Sequence, residues 1–445
     1  MGRARVAAAV LVLATASGAV AGSGCTAAQL ADALNSAIQD CSVPGQNRFV
    51  RDTLKDVYLW YKELPDPDPA SFTTPEAYLE AVRYKALDKT FSFITGRAAN
   101  DALTNDSQYV GFGFKSEIAS ASEIRVADVY AGGPAADAGL ERGAGILEVN
   151  GRSAASLIST GETSSIFGPA QVGVSAHVLF RDRAGADHDV QMVKRTVTIP
   201  TVAVTTTIAS GGRVVGYLLL ENFVTPTSAA LDAAFTQLEA AGANELILDV
   251  RYNGGGLVTV AQHLASLIGG SRTTGQLFIQ LAFNDKHSSD NQNINFQTLP
   301  HALGLERLVV ITTENSASAS ESMVNGLRPY IPVTVVGGTT YGKPVGQTVF
   351  NFCDKVLYAV TFAAKNARGQ ADFFNGIPAD CAAPDDLDHA LGDTREGSLA
   401  EALRYLRTGS CSASAAAAAR AQSAPRPAGR GLIREDGSHP MFVAP

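Results

Sequence analysis

The run Leu248-Asp249-Val250-Arg251-Tyr252-Asn253-Gly254-Gly255-Gly256 constrains this chain most. An apolar segment, Glu245 to Val250, reads as a buried strand and ends in three glycines just ahead of a helical pattern, Leu257 to Ile268. Further strands are expected at Val214 to Leu220, Leu308 to Thr312 and Val333 to Val336, with helices at Ala229 to Ala241 and Ser320 to Leu327. Strand and helix alternating in this way predict α/β layers from about Thr198 to Arg407. The glycines serve either as a tight strand-to-helix turn or as a site. Backbone without side chains can approach a ligand closely and aim N–H groups at an anion, the geometry an oxyanion hole needs.

With 445 residues the chain exceeds one ordinary domain. Residues 42–105 predict a helical subdomain: Phe49, Leu54, Val57, Tyr58 and Tyr61 recur at helical spacing, and Thr74-Pro75-Glu76 starts a second helix. Residues 107–197 change to short strands and glycine turns, and residues 198–411 hold the α/β core. Residues 412–445, rich in Ala, Pro and Arg, predict a disordered tail.

Residues 1–24 carry the marks of an export signal. Arg3 and Arg5 precede the short apolar stretch Val6 to Ala14, and Ala19-Val20-Ala21 offers small residues for cleavage. Cys25 follows, so it is either lipidated or the disulfide partner of Cys41. The expected location is the bacterial periplasm or cell envelope, soluble or lipid-anchored. The net charge of −8, with no basic run, argues against nucleic acid as a partner. Of the five cysteines, Cys353 and Cys381 flank an apparent hairpin, Val356 to Ala363 and Ala371 to Phe374, which predicts a disulfide between them.

Two further patches carry chemistry. Ser316-Ala317-Ser318-Ala319-Ser320-Glu321 lies between a strand and a helix. Its small neighbours leave a hydroxyl accessible at a helix N-terminus, although Ser318 and Glu321 also have capping-box spacing. Gly337 to Gln347 contains the spacing of a phosphate loop, but Pro344 stands where Ser or Thr should hold magnesium, so nucleotide binding is set aside. Lys343, held by glycines near a serine, could act as a base if desolvation lowers its pKa. No motif ties any of the seven histidines to Ser318, and no set of residues has zinc spacing.

Tyr109-Val110-Gly111-Phe112-Gly113-Phe114, "GPAADAGL" from Gly133 and "ILEVNG" from Ile146 together resemble a PDZ domain. That resemblance implies that Gly111, Phe112, Gly113 and Phe114 hold a peptide's terminal carboxylate and that the next strand accepts the peptide by β-addition. The departure is Ala144, where such domains often carry Asp. The glycine turn, the SASASE run and TTYGKPVGQ, in this order behind a PDZ-like domain, resemble the carboxy-terminal processing peptidases, tail-specific serine proteases. The similarity covers roughly Phe49 to Cys411.

The family resemblance implies a crotonase/Clp-protease-like β-β-α superhelix core with an inserted PDZ-like domain. It implies Ser318 as nucleophile, Lys343 as general base and Gln347 orienting the lysine. The backbone N–H groups of Gly255 and Ala319 would form the oxyanion hole. Pro344 departs from the glycine that often follows the lysine. The expected activity is endopeptidase cleavage of polypeptides with free C-termini, with no metal or cofactor. The rival is a catalytically silent binding protein on the same scaffold.

Overall fold

In a computed structural model of the chain, which describes residues 40–422, 432–434 and 441–444, the expected strands are Arg213–Leu220, Glu245–Asp249, Leu308–Thr312 and Val333–Gly337. They pair in parallel in that order. Val202–Ser210 adds antiparallel at one edge, and Cys381–Ala382 adds parallel at the other. Side chains alternate between the two faces. Leu246, Leu248 and Val310 face Leu231, Phe235, Leu264 and Met323 of three helices, Thr227–Ala240, Val258–Gly269 and Ala319–Leu327. Ile247, Val309 and Ile311 face Leu399 and Leu403 of the helix Gly397–Thr408. Burial on both faces is why these strands read as continuous apolar runs.

A second sheet stands beside the first. Val345–Phe352 and Lys355–Lys365 form its central hairpin, and Leu277–Phe283 and Gln292–Asn295 extend it. The N-terminal subdomain packs Val50, Leu54, Tyr58 and Leu79 against Phe350, Phe352 and Leu357. It also donates the strand Phe93–Gly96 to Lys355–Lys365. Its helix Pro75–Val82 starts as the sequence predicts, capped by Thr74, whereas Val43–Val57 begins ahead of the helical spacing read from Phe49, capped by Ser42 before an early proline.

The PDZ-like domain enters and leaves through one antiparallel pair, Gln108–Gly111 with Arg195–Thr198. Between them Phe114–Ser120, Glu123–Val129, Gly145–Val149, Ser175–Arg181 and Asp187–Val193 form its sheet. Ala144 is fully buried there, and its carbonyl accepts a hydrogen bond from Val126.

Several expectations are corrected. Cys353 does not pair with Cys381, nor Cys41 with Cys25: the disulfides are Cys41–Cys353 and Cys381–Cys411. A turn forms at Asn366 to Gly369, but residues 371–374 are not a strand. Lys355–Lys365 is already paired with Val345–Phe352 on one side and with Leu277–Phe283 and Phe93–Gly96 on the other. Cys353 therefore sits at a hairpin tip beside the N-terminal helix, and Cys381 lies on the first sheet. The disordered tail is corrected in part. It contains the helix Ala413–Gln422 and the strands Leu432–Arg434 and Met441–Val443. The export signal and Cys25 lie outside the described residues. Among the described residues, no helix is long and apolar enough to cross a membrane.

Candidate active site

The glycine turn and the serine loop meet at the carboxyl ends of neighbouring parallel strands, where open α/β sheets place ligands. Arg251 is fully buried and anchors the turn through Asp249 (2.8 Å), Asp385 (2.8 Å) and Glu396 (3.0 Å). Ser316 Oγ donates to the Val250 carbonyl at 2.7 Å. The Asn253 carbonyl accepts from Ala317 N–H at 3.0 Å and from Ser320 Oγ at 3.1 Å. The outer serines of SASAS are thus tied to the backbone of the glycine turn. Gly256 must be glycine: its φ is +147°, and a Cβ there would lie 2.1 Å from the Phe223 carbonyl oxygen.

Ser318 differs from its neighbours. It is fully buried, and its Oγ has no hydrogen-bond partner. It takes the N-cap position of Ala319–Leu327 with φ +63° and ψ −106°, a conformation that a non-glycine residue rarely adopts. Ala319 is the first residue of that helix, where backbone N–H groups lack intrahelical acceptors.

Glu321 ties the serine to the lysine. Its fully buried carboxylate accepts from the N–H of Ser318 (2.7 Å) and of Lys343 (2.9 Å) through Oε2. Its Oε1 accepts from Gly342 N–H at 2.7 Å and from the Thr340 hydroxyl. Tyr341 N–H adds a bond to the Ser316 carbonyl at 3.0 Å. One carboxylate thus registers two loops that are remote in sequence. Burial pushes its pKa up, and these four donors oppose that shift.

Lys343 is also fully buried, with Nζ 5.6 Å from the centre of the Phe91 ring. Burial holds its pKa well below the usual lysine range, against the opposing charges of Asp88 and Glu321. Gln347, fully buried too, donates from Nε2 to the Phe91 carbonyl at 2.5 Å. Asp88 fixes this wall by accepting from Phe91 and Ser92 N–H (2.8 and 2.9 Å) and from Tyr58 OH (2.8 Å). Sequence reading missed Asp88 and Phe91, which carry no motif, and saw in Glu321 only a helix cap. The spacing Ser318-x-x-Glu321 was a signal that a carboxylate returns to the serine backbone.

One expected donor differs. The N–H of Gly255 donates to Asn253 Oδ1 at 2.9 Å, so in this arrangement it is engaged within the turn. Each of the six described histidines pairs with a carboxylate: His177 with Asp189, His188 with Asp182, His263 with Asp232, His287 with Asp56 and Asp290, His301 with Glu239, and His389 with Asp386. His439 lies outside the described residues.

In the PDZ-like domain Phe112 and Phe114 are core residues, each edge-on to Phe167. The carbonyls of Phe112 and Gly113 accept from Ala135 and Tyr130 N–H, both at 2.8 Å, and Gly113 has φ +90°. Gly111 ends the entering strand, and Phe114 begins the strand of the expected β-addition edge.

Residues 45–93 match the Peptidase S41 N-terminal domain, residues 103–160 a PDZ domain, and residues 214–383 Peptidase family S41. The chain belongs to peptidase family S41. This S41 chain is 28% identical over 263 residues to "C-terminal processing peptidase, chloroplastic" of Tetradesmus obliquus, covering 57% of its own length and 55% of the relative's. It is 27% identical over 267 residues to "Carboxyl-terminal-processing protease" of Synechocystis sp., covering 59% and 60%. The alignment therefore spans little more than half of those relatives. A Bacteroides fragilis structure described as an S41 protease superposes with TM-score 0.65 and 25% identity, over 81% of this S41 chain and 97% of the other. The "photosystem II D1 C-terminal processing protease" shares the fold, with TM-score 0.50, 21% identity and coverage of 83% and 98%.

Proposed function

We propose that this chain is an exported serine endopeptidase in which Ser318 is the nucleophile and Lys343 the general base. The observation that carries this reading is the Glu321 clamp, which fixes the backbones of both residues on one carboxylate. It does so while Ser318 Oγ has no competing hydrogen bond and burial holds Lys343 toward its neutral form. A neutral amine can accept the hydroxyl proton, whereas an ammonium cannot. Ser318 Oγ attacks the scissile carbonyl carbon as its proton passes to Lys343 Nζ. Ala319 N–H and an amide of the glycine turn receive the oxyanion. Gly255 serves there only if Asn253 releases its N–H. Lys343 then protonates the leaving amine, and water hydrolyses the acyl-enzyme. Gln347 orients the amine from the wall it shares with Phe91.

Two disulfides favour an oxidising compartment and so support export. The PDZ-like domain supports recognition of a polypeptide's C-terminus, with Gly111, Phe112, Gly113 and Phe114 at the head of the β-addition edge. The test is digestion of an unstructured protein by wild type beside Ser318→Ala, Ser316→Ala and Ser320→Ala. Only Ser318→Ala is expected to lose all turnover; activity surviving in it sinks the assignment. Tail sensing is checked separately, by comparing the affinity of one peptide as free acid and as amide. Equal affinities remove that role and leave the peptidase reading intact.

A further inference from the structure

Two short strands beyond Gln422 lie on the two edges that a substrate would need. Leu432–Arg434 pairs antiparallel with Phe114–Ser120, in the register Leu432 with Glu117, Ile433 with Ser116 and Arg434 with Lys115. This is the β-addition edge of the PDZ-like domain. Ile433 is only 6% exposed and belongs to the domain's hydrophobic core. Leu432 packs against Ala127, Leu387 and Tyr252, the last just ahead of the glycine turn.

Met441–Val443 then runs parallel beside Gly255–Leu257, and Val443 is in register with Gln347. Gly255 O and Leu257 N–H both bond Phe223, so by strand alternation the amide of Gly256 faces the opposite edge, where Phe442 is its partner. Ala444 N–H donates to the Gln347 carbonyl at 3.1 Å, and Ala444 packs on the main core. With this strand in place, Ser318, Lys343 and Gln347 have no exposed surface.

We propose that the segments 432–434 and 441–444 are intramolecular strand ligands, the first filling the PDZ-like groove and the second the active-site cleft, and that together they compete with polypeptide substrates. The identity of the cleft rests on the Ser–Lys reading; the occupancy rests on the backbone pairing alone. Main-chain hydrogen bonds supply attraction that any extended polypeptide could share, and Ile433 supplies the anchoring side chain. Tethering both strands to one chain gives them an effective concentration that a free peptide does not have. The groove here takes an internal segment, since further residues follow Arg434 in the sequence.

A competing internal ligand lowers apparent affinity by the fraction of open molecules, without altering the chemical step. The test uses the full chain with Ser318→Ala and a labelled synthetic peptide of residues 432–444. Ile433→Glu places a charge in the domain core, and Ala444→Pro removes the N–H that reaches Gln347. Peptide binding is expected to tighten about tenfold or more in the double variant, and by a smaller factor in the milder Ala444→Pro alone. Ile433→Val is expected to bind as the parent does. Equal affinity in parent and variants overturns the proposal, as does no binding in any of them. With Ser318 intact, Ala444→Pro is expected to lower KM for an unstructured polypeptide with kcat unchanged. A fall in kcat at constant KM would make the segment a structural strand and also overturn the proposal. Tighter peptide binding without any turnover in the Ser318 chain would sink the peptidase reading and leave this one standing.

Discussion

Ser318 is held at φ +63°, where a residue with a Cβ is strained by about 1–3 kcal/mol. The surrounding bonds over-determine it: Glu321 grips its N–H, and Ser316 and Ser320 are tied to the glycine turn. Ser318→Gly is therefore expected to be inactive and about 1 kcal/mol more stable, read from denaturant midpoints. Glu321→Gln turns one acceptor oxygen into a donor and strands at least one of the buried N–H groups the carboxylate holds. It is expected to cost about 2–4 kcal/mol and to lower kcat more than it raises KM. Lys343 sets the pH dependence. Its folded pKa lies well below the ordinary 10.5, so kcat/KM should rise with pH as it deprotonates, with a midpoint well below that value. In that same window the unfolded chain binds the extra proton, so stability should also rise with pH, by about 1.4 kcal/mol per pH unit of the window. The burial cost is fully present below the depressed pKa and absent above 10.5. Lys343→Met should abolish this slope and the activity together. Lys343→Arg should be inactive, because guanidinium keeps its proton. A Lys343→Arg enzyme of wild-type speed would move the base elsewhere.

Between elements, the PDZ-like domain and the core are joined by buried charge. Lys115, on the strand Phe114–Ser120, pairs with Glu221 at 2.5 Å, and both side chains are buried. Arg142 reaches Tyr252 OH at 2.6 Å and Asp385 at 2.7 Å, beside the glycine turn. Taking one partner out of such a pair strands the other charge without hydration. Lys115→Met is expected to cost about 3–5 kcal/mol, and adding Glu221→Leu should restore much of it. The check is a double-mutant cycle on unfolding. Additive losses would mean that the two charges do not stabilise each other.

Across the molecule, Cys41–Cys353 closes a span of 312 residues and Cys381–Cys411 one of 30. The first staples the N-terminal subdomain to the hairpin whose strands bear Gln347 and pack around Phe91. If cross-links act mainly by restricting the unfolded chain, removing the longer one should cost about 2 kcal/mol more than removing the shorter. Cys41→Ser/Cys353→Ser should also lose activity before global unfolding, since Asp88 and Phe91 reach Lys343 from the stapled subdomain. Parallel denaturant curves read by activity and by fluorescence check this; coincident curves would separate the staple from the site.

Sequence alone determined what is local or periodic. Apolar runs in register with helical faces set the central strands, because a strand buried on both sides has no polar positions to spare. Glycine at 256 meets a backbone angle only glycine tolerates easily, and Thr74 ahead of Pro75 announces its helix by its own hydroxyl. Ser318, Lys343 and Gln347 stood out as candidates through the family's motif spacing, though not what surrounds them. Tertiary structure alone decided which distant groups meet. The hairpin assumed for Cys353 and Cys381 failed because both edges of Lys355–Lys365 were already taken, which no local pattern records. Asp88 and Phe91 at the lysine, Glu321 between two loops, and Leu432–Arg434 on the PDZ-like edge are likewise long-range choices. Their physical reason is competition: each buried donor, thiol or strand edge takes the partner that the packed fold brings nearest, and the chain's local pattern does not encode that distance.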